Sequence, residues 1–93
     1  GELITKPVNF TGKELEINYS TSAGGIVRVE LQDADGQPLP GFSLDDCDPI
    51  YGDEIARVVK WKSGSDVSAL SPRPIRLRFV MEDADLFSLR FRE

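Results

Sequence analysis

The chain has 93 residues, 40% of them hydrophobic and 29% charged, with one cysteine, no histidine and a net charge of −5. This is enough for one small globular domain and too acidic for a typical nucleic-acid binder, whose affinity comes from a basic excess. A lone cysteine excludes an internal disulfide, the lack of histidine removes the usual nucleophile–base and zinc sites, and no run approaches the about 20 apolar residues of a membrane span or reads as a signal peptide.

The pattern along the chain is alternation with period two, broken by turn residues. Leu3-Ile4 and Val8-Asn9-Phe10 read as short edge strands, since Pro7 cannot donate to a central ladder. After Thr11-Gly12-Lys13, Glu14-Leu15-Glu16-Ile17-Asn18-Tyr19 places Leu15 and Ile17 on one face. Ser22-Ala23-Gly24-Gly25 reads as a turn, and Val27-Arg28-Val29-Glu30-Leu31 as the next strand. Asp33-Ala34-Asp35-Gly36 suits a tight turn, because glycine accepts positive φ. Arg57-Val58-Val59-Lys60-Trp61 reads as a middle strand, followed by a turn at Ser63-Gly64-Ser65-Asp66. Val67 to Leu70 allows one helical turn, with Asp66 as cap and Pro72 as stop. Ile75-Arg76-Leu77-Arg78-Phe79 and Phe87-Ser88-Leu89-Arg90-Phe91-Arg92 alternate again, and Glu82-Asp83-Ala84-Asp85 between them predicts a hairpin. The expectation is a single all-β domain over residues 1–93, cut from a larger protein: an antiparallel β-sandwich of jelly-roll or immunoglobulin-like type, with seven to eight short strands. Ile75, Leu77, Phe79, Leu89 and Phe91 join the apolar residues of the first strands in its core, together with Phe10 and Phe87.

Charge is unevenly spread: Glu30 to Glu54 holds eight acids and no base, and Arg57 to Glu93 holds eight bases and five acids. Pairing across strands or exposure to solvent accounts for this without a ligand. The densest acids are Asp45, Asp46, Asp48, Asp53 and Glu54, on a loop shaped by Pro49 and Gly52. Hard oxygen ligands there suit calcium, with Asp45, Asp46, Asp48 and Asp53 as ligands; the competing reading is a solvated loop paired with Arg57 and Lys60. Asp33-Ala34-Asp35-Gly36 opens like an EF-hand loop, but Gln37 and Pro38 follow, the twelfth position is not glutamate, and no helices flank it.

A flat ring beside Asp or Asn can bind a pyranose, which makes Tyr51 and Trp61, with Asp53, the carbohydrate candidates. Tyr19 and Phe42 are weaker ones. Trp61 shares a face with Val59 and Arg57, which favours the core for it, so Tyr51 in the acidic loop is the better exposed ring. Carboxylates paired for glycoside hydrolysis must face each other across a cleft, and loops this short build none; the domain is read as no enzyme. Cys47, before Asp48-Pro49, reads as a small buried hydrophobe.

Gly41-Phe42-Ser43-Leu44, Asp46-Cys47, Gly52-Asp53, Val59-Lys60-Trp61 and Ser65-Asp66-Val67-Ser68 are followed by Pro74-Ile75-Arg76-Leu77-Arg78-Phe79 and by Asp83 to Phe91. In this order, and with Lys6-Pro7 and Ser22 to Gly25 before them, they resemble the C-terminal β-sandwich segment of large bacterial (planctomycete-type) proteins related to five-bladed-propeller glycoside hydrolases. The resemblance covers nearly the whole chain. It implies a non-catalytic accessory module, secreted or in the cell envelope, beside a catalytic domain of the same chain. The module would assist carbohydrate binding or serve as a purely structural interdomain or docking element. No site residues carry over from that segment.

Overall fold

The computed structural model describes residues 1–71 and 73–93. It is all-β: β1 (Glu2–Ile4), β2 (Glu14–Asp33), β3 (Asp53–Val58) and β4 (Ile75–Arg92), with one short 3₁₀ turn at Ser68–Leu70. The four strands form one antiparallel sheet in the order β1-β4-β2-β3. Four strands stand where seven or eight short ones were expected. The difference arises because two segments read as turns lie inside strands. β2 runs through Ser22 to Gly25, and β4 runs through Glu82 to Asp85, so the expected hairpin between the last two strands is one continuous strand.

Both segments keep the function of a turn without ending a strand. Twenty residues at about 3.3 Å each would make a straight β2 about 66 Å long, yet the molecule's greatest extent is 37 Å. The strand must therefore bend. The ladder locates the bend: Thr21 faces Ala84 and Ile26 faces Glu82, so Ser22 to Gly25 are opposed by Asp83 alone. Asp83 has φ 47° and Gly24 φ 81°, both in the left-handed region that bulges use. At Gly25 the two chains approach so closely that a Cβ would sit 2.5 Å from the Asp83 carbonyl oxygen. Only glycine fits there.

The bend folds the two halves of the β2–β4 ribbon over one core. Leu15, Ile17 and Tyr19 from the first half of β2 meet Val27, Val29 and Leu31 from the second, with Ile75, Leu77 and Phe79 of β4. The inward face is the one the alternation predicts. Leu89 and Phe91 are only half-buried and pack on the rim, Phe91 stacking on Phe10 at 4.2 Å. The open side is closed by the non-strand segments. Val27 and Ile50 exchange backbone hydrogen bonds at 2.9 and 3.0 Å, Leu31 donates to Phe42, and Val59, Trp61, Val67 and Leu70 complete the core.

Asp33 makes the expected turn, its carboxylate accepting from the Asp35 and Gln37 amides. Asp66 accepts from the amide and hydroxyl of Ser68, although the residue that caps the 3₁₀ turn is Val67. Pro72, expected as its stop, lies outside the described residues. The middle strand begins earlier than expected, at Asp53, and ends at Val58, so Trp61 lies beyond it in isolated bridges to Cys47 and Gly64.

Candidate functional site

The candidate rings separate cleanly. Trp61 is 2% exposed, packs edge-on against Phe42 at 5.3 Å, and donates its indole N–H to the Val29 carbonyl at 3.0 Å. It is a core residue and offers no platform, a correction to its candidacy for carbohydrate. Backbone bridges to Cys47 and Gly64 place Trp61 in the closing layer of the core. Tyr51 is 58% exposed, just before β3. Its carbonyl accepts the Tyr19 hydroxyl, which anchors the loop while leaving the Tyr51 ring in solvent. Burial, and next the neighbouring Glu54 carboxylate, push the Tyr19 phenol above its ordinary value.

The aspartates weighed as calcium ligands do not converge. Asp46 is tied locally, accepting from the Ser43 hydroxyl at 2.9 Å, while Asp45 and Asp48 lie exposed on the same loop. Asp53 stands at the start of β3, where one carboxylate oxygen accepts from the Thr21 amide at 2.9 Å. Among the described residues, no three acidic, histidine or cysteine side chains are grouped to hold a metal ion. The expected pairing with Arg57 involves Glu54: guanidinium and carboxylate meet at 2.7 Å, and that hydrogen bond holds Glu54 below the usual carboxylate range. Cys47 is buried as expected, its thiol 3.4 Å from the Val29 amide, and burial pushes its pKa up.

The feature the sequence did not disclose lies on the outer face, around Asn18. In β4, Ile17 pairs with Leu89 and Tyr19 with Leu86; in β3, Ile17 pairs with Arg57 and Tyr19 with Glu54. Each neighbour thus places two residues opposite Asn18: Phe87 and Ser88 on one side, Ile55 and Ala56 on the other. An extra residue in a strand re-aims the side chains beside it. Here both bulges act at one point. Phe87 is 63% exposed and Ile55 84%, so Phe87 leaves the core where alternation placed it. Leu86 takes the inward position in its stead.

Phe87, Ile55, Asn18, Ser20, Asp53 and Glu54, with Tyr19 and Ala56, line an open groove of about 690 Å³. The side chains of Asn18 and Ser20, and the second carboxylate oxygen of Asp53, make no hydrogen bond among the described residues. The groove therefore pairs an exposed ring and an aliphatic tip with free donors and acceptors. Nothing in the linear sequence marks a bulge, though Ile55 isolated between Glu54 and Ala56 after four loop acids is a weak sign that it has no core to enter.

No family model, no curated protein and no solved structure matches this chain.

Proposed function

We propose that the chain is a non-catalytic accessory module that binds an extended polysaccharide across the groove at Asn18. Its host is a bacterial, secreted or envelope protein related to five-bladed-propeller glycoside hydrolases, whose chemistry belongs to a neighbouring domain of the same chain. The host reading rests on the residue order from Gly41 to Phe91. The β-sandwich reading draws support from the bend in β2 and β4, which lays two halves of one ribbon over a shared core.

The observation that carries the binding reading is the 63% exposed Phe87 beside the side chains of Asn18 and Ser20 and the second carboxylate oxygen of Asp53, none of which is hydrogen-bonded among the described residues. A ring on a sheet covers the apolar face of a pyranose, and nearby amides and carboxylates bond its hydroxyls. Tyr51, two residues before Asp53, is a second exposed ring beside the groove residues in sequence.

Calorimetric titration with a panel of soluble polysaccharides tests this. Binding should be abolished by Phe87→Ala and by Asp53→Ala, and weakened by Tyr51→Ala, with circular dichroism unchanged. Absence of binding across a broad panel refutes it. A second reading, a structural docking module, is favoured by Ile55, an aliphatic tip that a sugar does not need. Its signature would be binding of the neighbouring domain supplied in trans, lost in Ile55→Ser.

A further inference from the structure

The free edge of β3 carries a second interaction surface. Among the described residues β3 pairs only with β2 and ends the sheet, and its first four residues are exposed. Such an edge is normally blunted against pairing by charges or a bulge. β3 has both, but its charges are segregated. Asp53 and Glu54 stand at one end and Arg57 at the other, with Ile55-Ala56 between; within one chain Glu54 and Arg57 pair at 2.7 Å, so a second copy would exchange two exposed intrachain pairs for two interchain ones.

We propose that the domain forms a twofold dimer in which a second copy of this chain lies antiparallel along the β3 edge. With the axis between Ile55 and Ala56, Glu54 of each copy falls opposite Arg57 of the other, and the two Ile55 side chains meet beside the axis. No like charges are opposed. Antiparallel partners directly across from each other interact most strongly, so this register is selected by charge as well as by apolar contact. The opposite edge, β1, holds one acid and no base, and has no such self-complementarity. Ile55, at 84% the most exposed large hydrophobic side chain among the described residues, gains cover in this arrangement. The bulge at Ile55-Ala56 restricts backbone pairing to the flanking residues, so side chains lead the contact and the dimer is a concentration-dependent equilibrium. The proposal goes beyond the polysaccharide reading and does not depend on it. If both hold, the axis brings two grooves side by side, and a long polymer binds with avidity.

Sedimentation equilibrium of the 93-residue chain should show the mass rising from 10.3 kDa towards twice that value with concentration. Ile55→Lys should stay at the monomer mass. Glu54→Arg opposes two arginines across the axis and Arg57→Glu opposes two glutamates, so each variant alone should be monomeric. Mixed, they should recover a dimer containing one chain of each, identified by native mass spectrometry. Restored intrachain pairing cannot produce that result. Circular dichroism checks the fold of each variant, and Ile55→Lys, at a solvent-exposed position, keeps the test decisive if a charge variant unfolds. A wild-type chain that stays monomeric at its highest soluble concentration overturns the proposal, as does a mixture that stays monomeric. Polysaccharide binding by a monomeric wild type would remove the dimer alone, and a dimer that binds no polysaccharide would remove the groove alone.

Discussion

Replacing Gly25 by alanine isolates the corner of the β2–β4 ribbon. The added Cβ would lie 2.5 Å from the Asp83 carbonyl oxygen, 2.9 Å from that of Ser22 and 3.0 Å from that of Glu82. All three are backbone atoms, so no side chain can swing aside. Overpacking in a closed site costs about 1–3 kcal/mol, and an obstacle made entirely of backbone places Gly25→Ala at the upper end, about 3 kcal/mol. Gly24→Ala is the control. Its neighbour space is empty, but its φ of 81° imposes the left-handed penalty, about 1 kcal/mol. For a domain of this size each kcal/mol moves the midpoint by roughly 4–8 °C, so Gly25→Ala should lower Tm by roughly 12–24 °C and Gly24→Ala by roughly 4–8 °C. Thermal unfolding followed by circular dichroism measures both. Equal effects at the two positions, or a Gly25→Ala loss within about 0.5 kcal/mol, would mean the strands do not close at this point.

The buried and the exposed aromatic should part in stability: Trp61→Ala should cost roughly 3–5 kcal/mol in urea unfolding, while Tyr51→Ala should stay within about 0.5 kcal/mol. Glu54 should titrate below its ordinary value of 4.5 because Arg57 hydrogen-bonds its carboxylate. A lowered folded-state pKa contributes stability that is present above the unfolded value and is lost as pH falls through the folded one. NMR of the Glu54 carboxyl carbon should therefore show a depressed midpoint that moves up in Arg57→Ala; a midpoint unaffected by that change would refute the pairing.

Much of the core was legible because alternation reports which face a residue occupies wherever the ladder is regular. Leu15, Ile17, Val27, Val29, Leu31, Ile75, Leu77 and Phe79 are all buried as the pattern requires. The pattern fails one residue past a bulge, since each inserted residue exchanges the two faces. That is why Phe87, in phase with Leu89 and Phe91 by counting, stands in solvent. It is also why the groove at Asn18 was not visible: it is made by two strands far apart in sequence, each carrying an extra residue at the same level. The composition of Ser22 to Gly25 and of Glu82 to Asp85 predicts turns between separate strands, and in the structure both segments are bends inside continuous strands. What composition cannot say is that the two segments face each other, so that the ribbon bends as a unit and both strands continue.

The ladder between β2 and β4 also bears on how the chain reaches this state. Its partners are remote, from Asp33 with Ile75 to Glu14 with Arg92, and β1 bonds to residues near position 80. Each such contact closes a long loop before any of it is rewarded, which places the domain among slow folders. During synthesis β2 leaves the ribosome well before β4. Its apolar face, from Leu15 to Leu31, must wait uncovered until about forty further residues have been made. The acids that alternate with those side chains at Glu14, Glu16 and Glu30 keep the waiting strand charged, and β4 brings the arginines that then neutralise them: Arg90 and Arg92 to Glu16, and Arg78 to Glu30. Until β4 arrives, these acids oppose like charges on any other copy of the nascent strand, for as long as premature pairing with another chain would be a hazard.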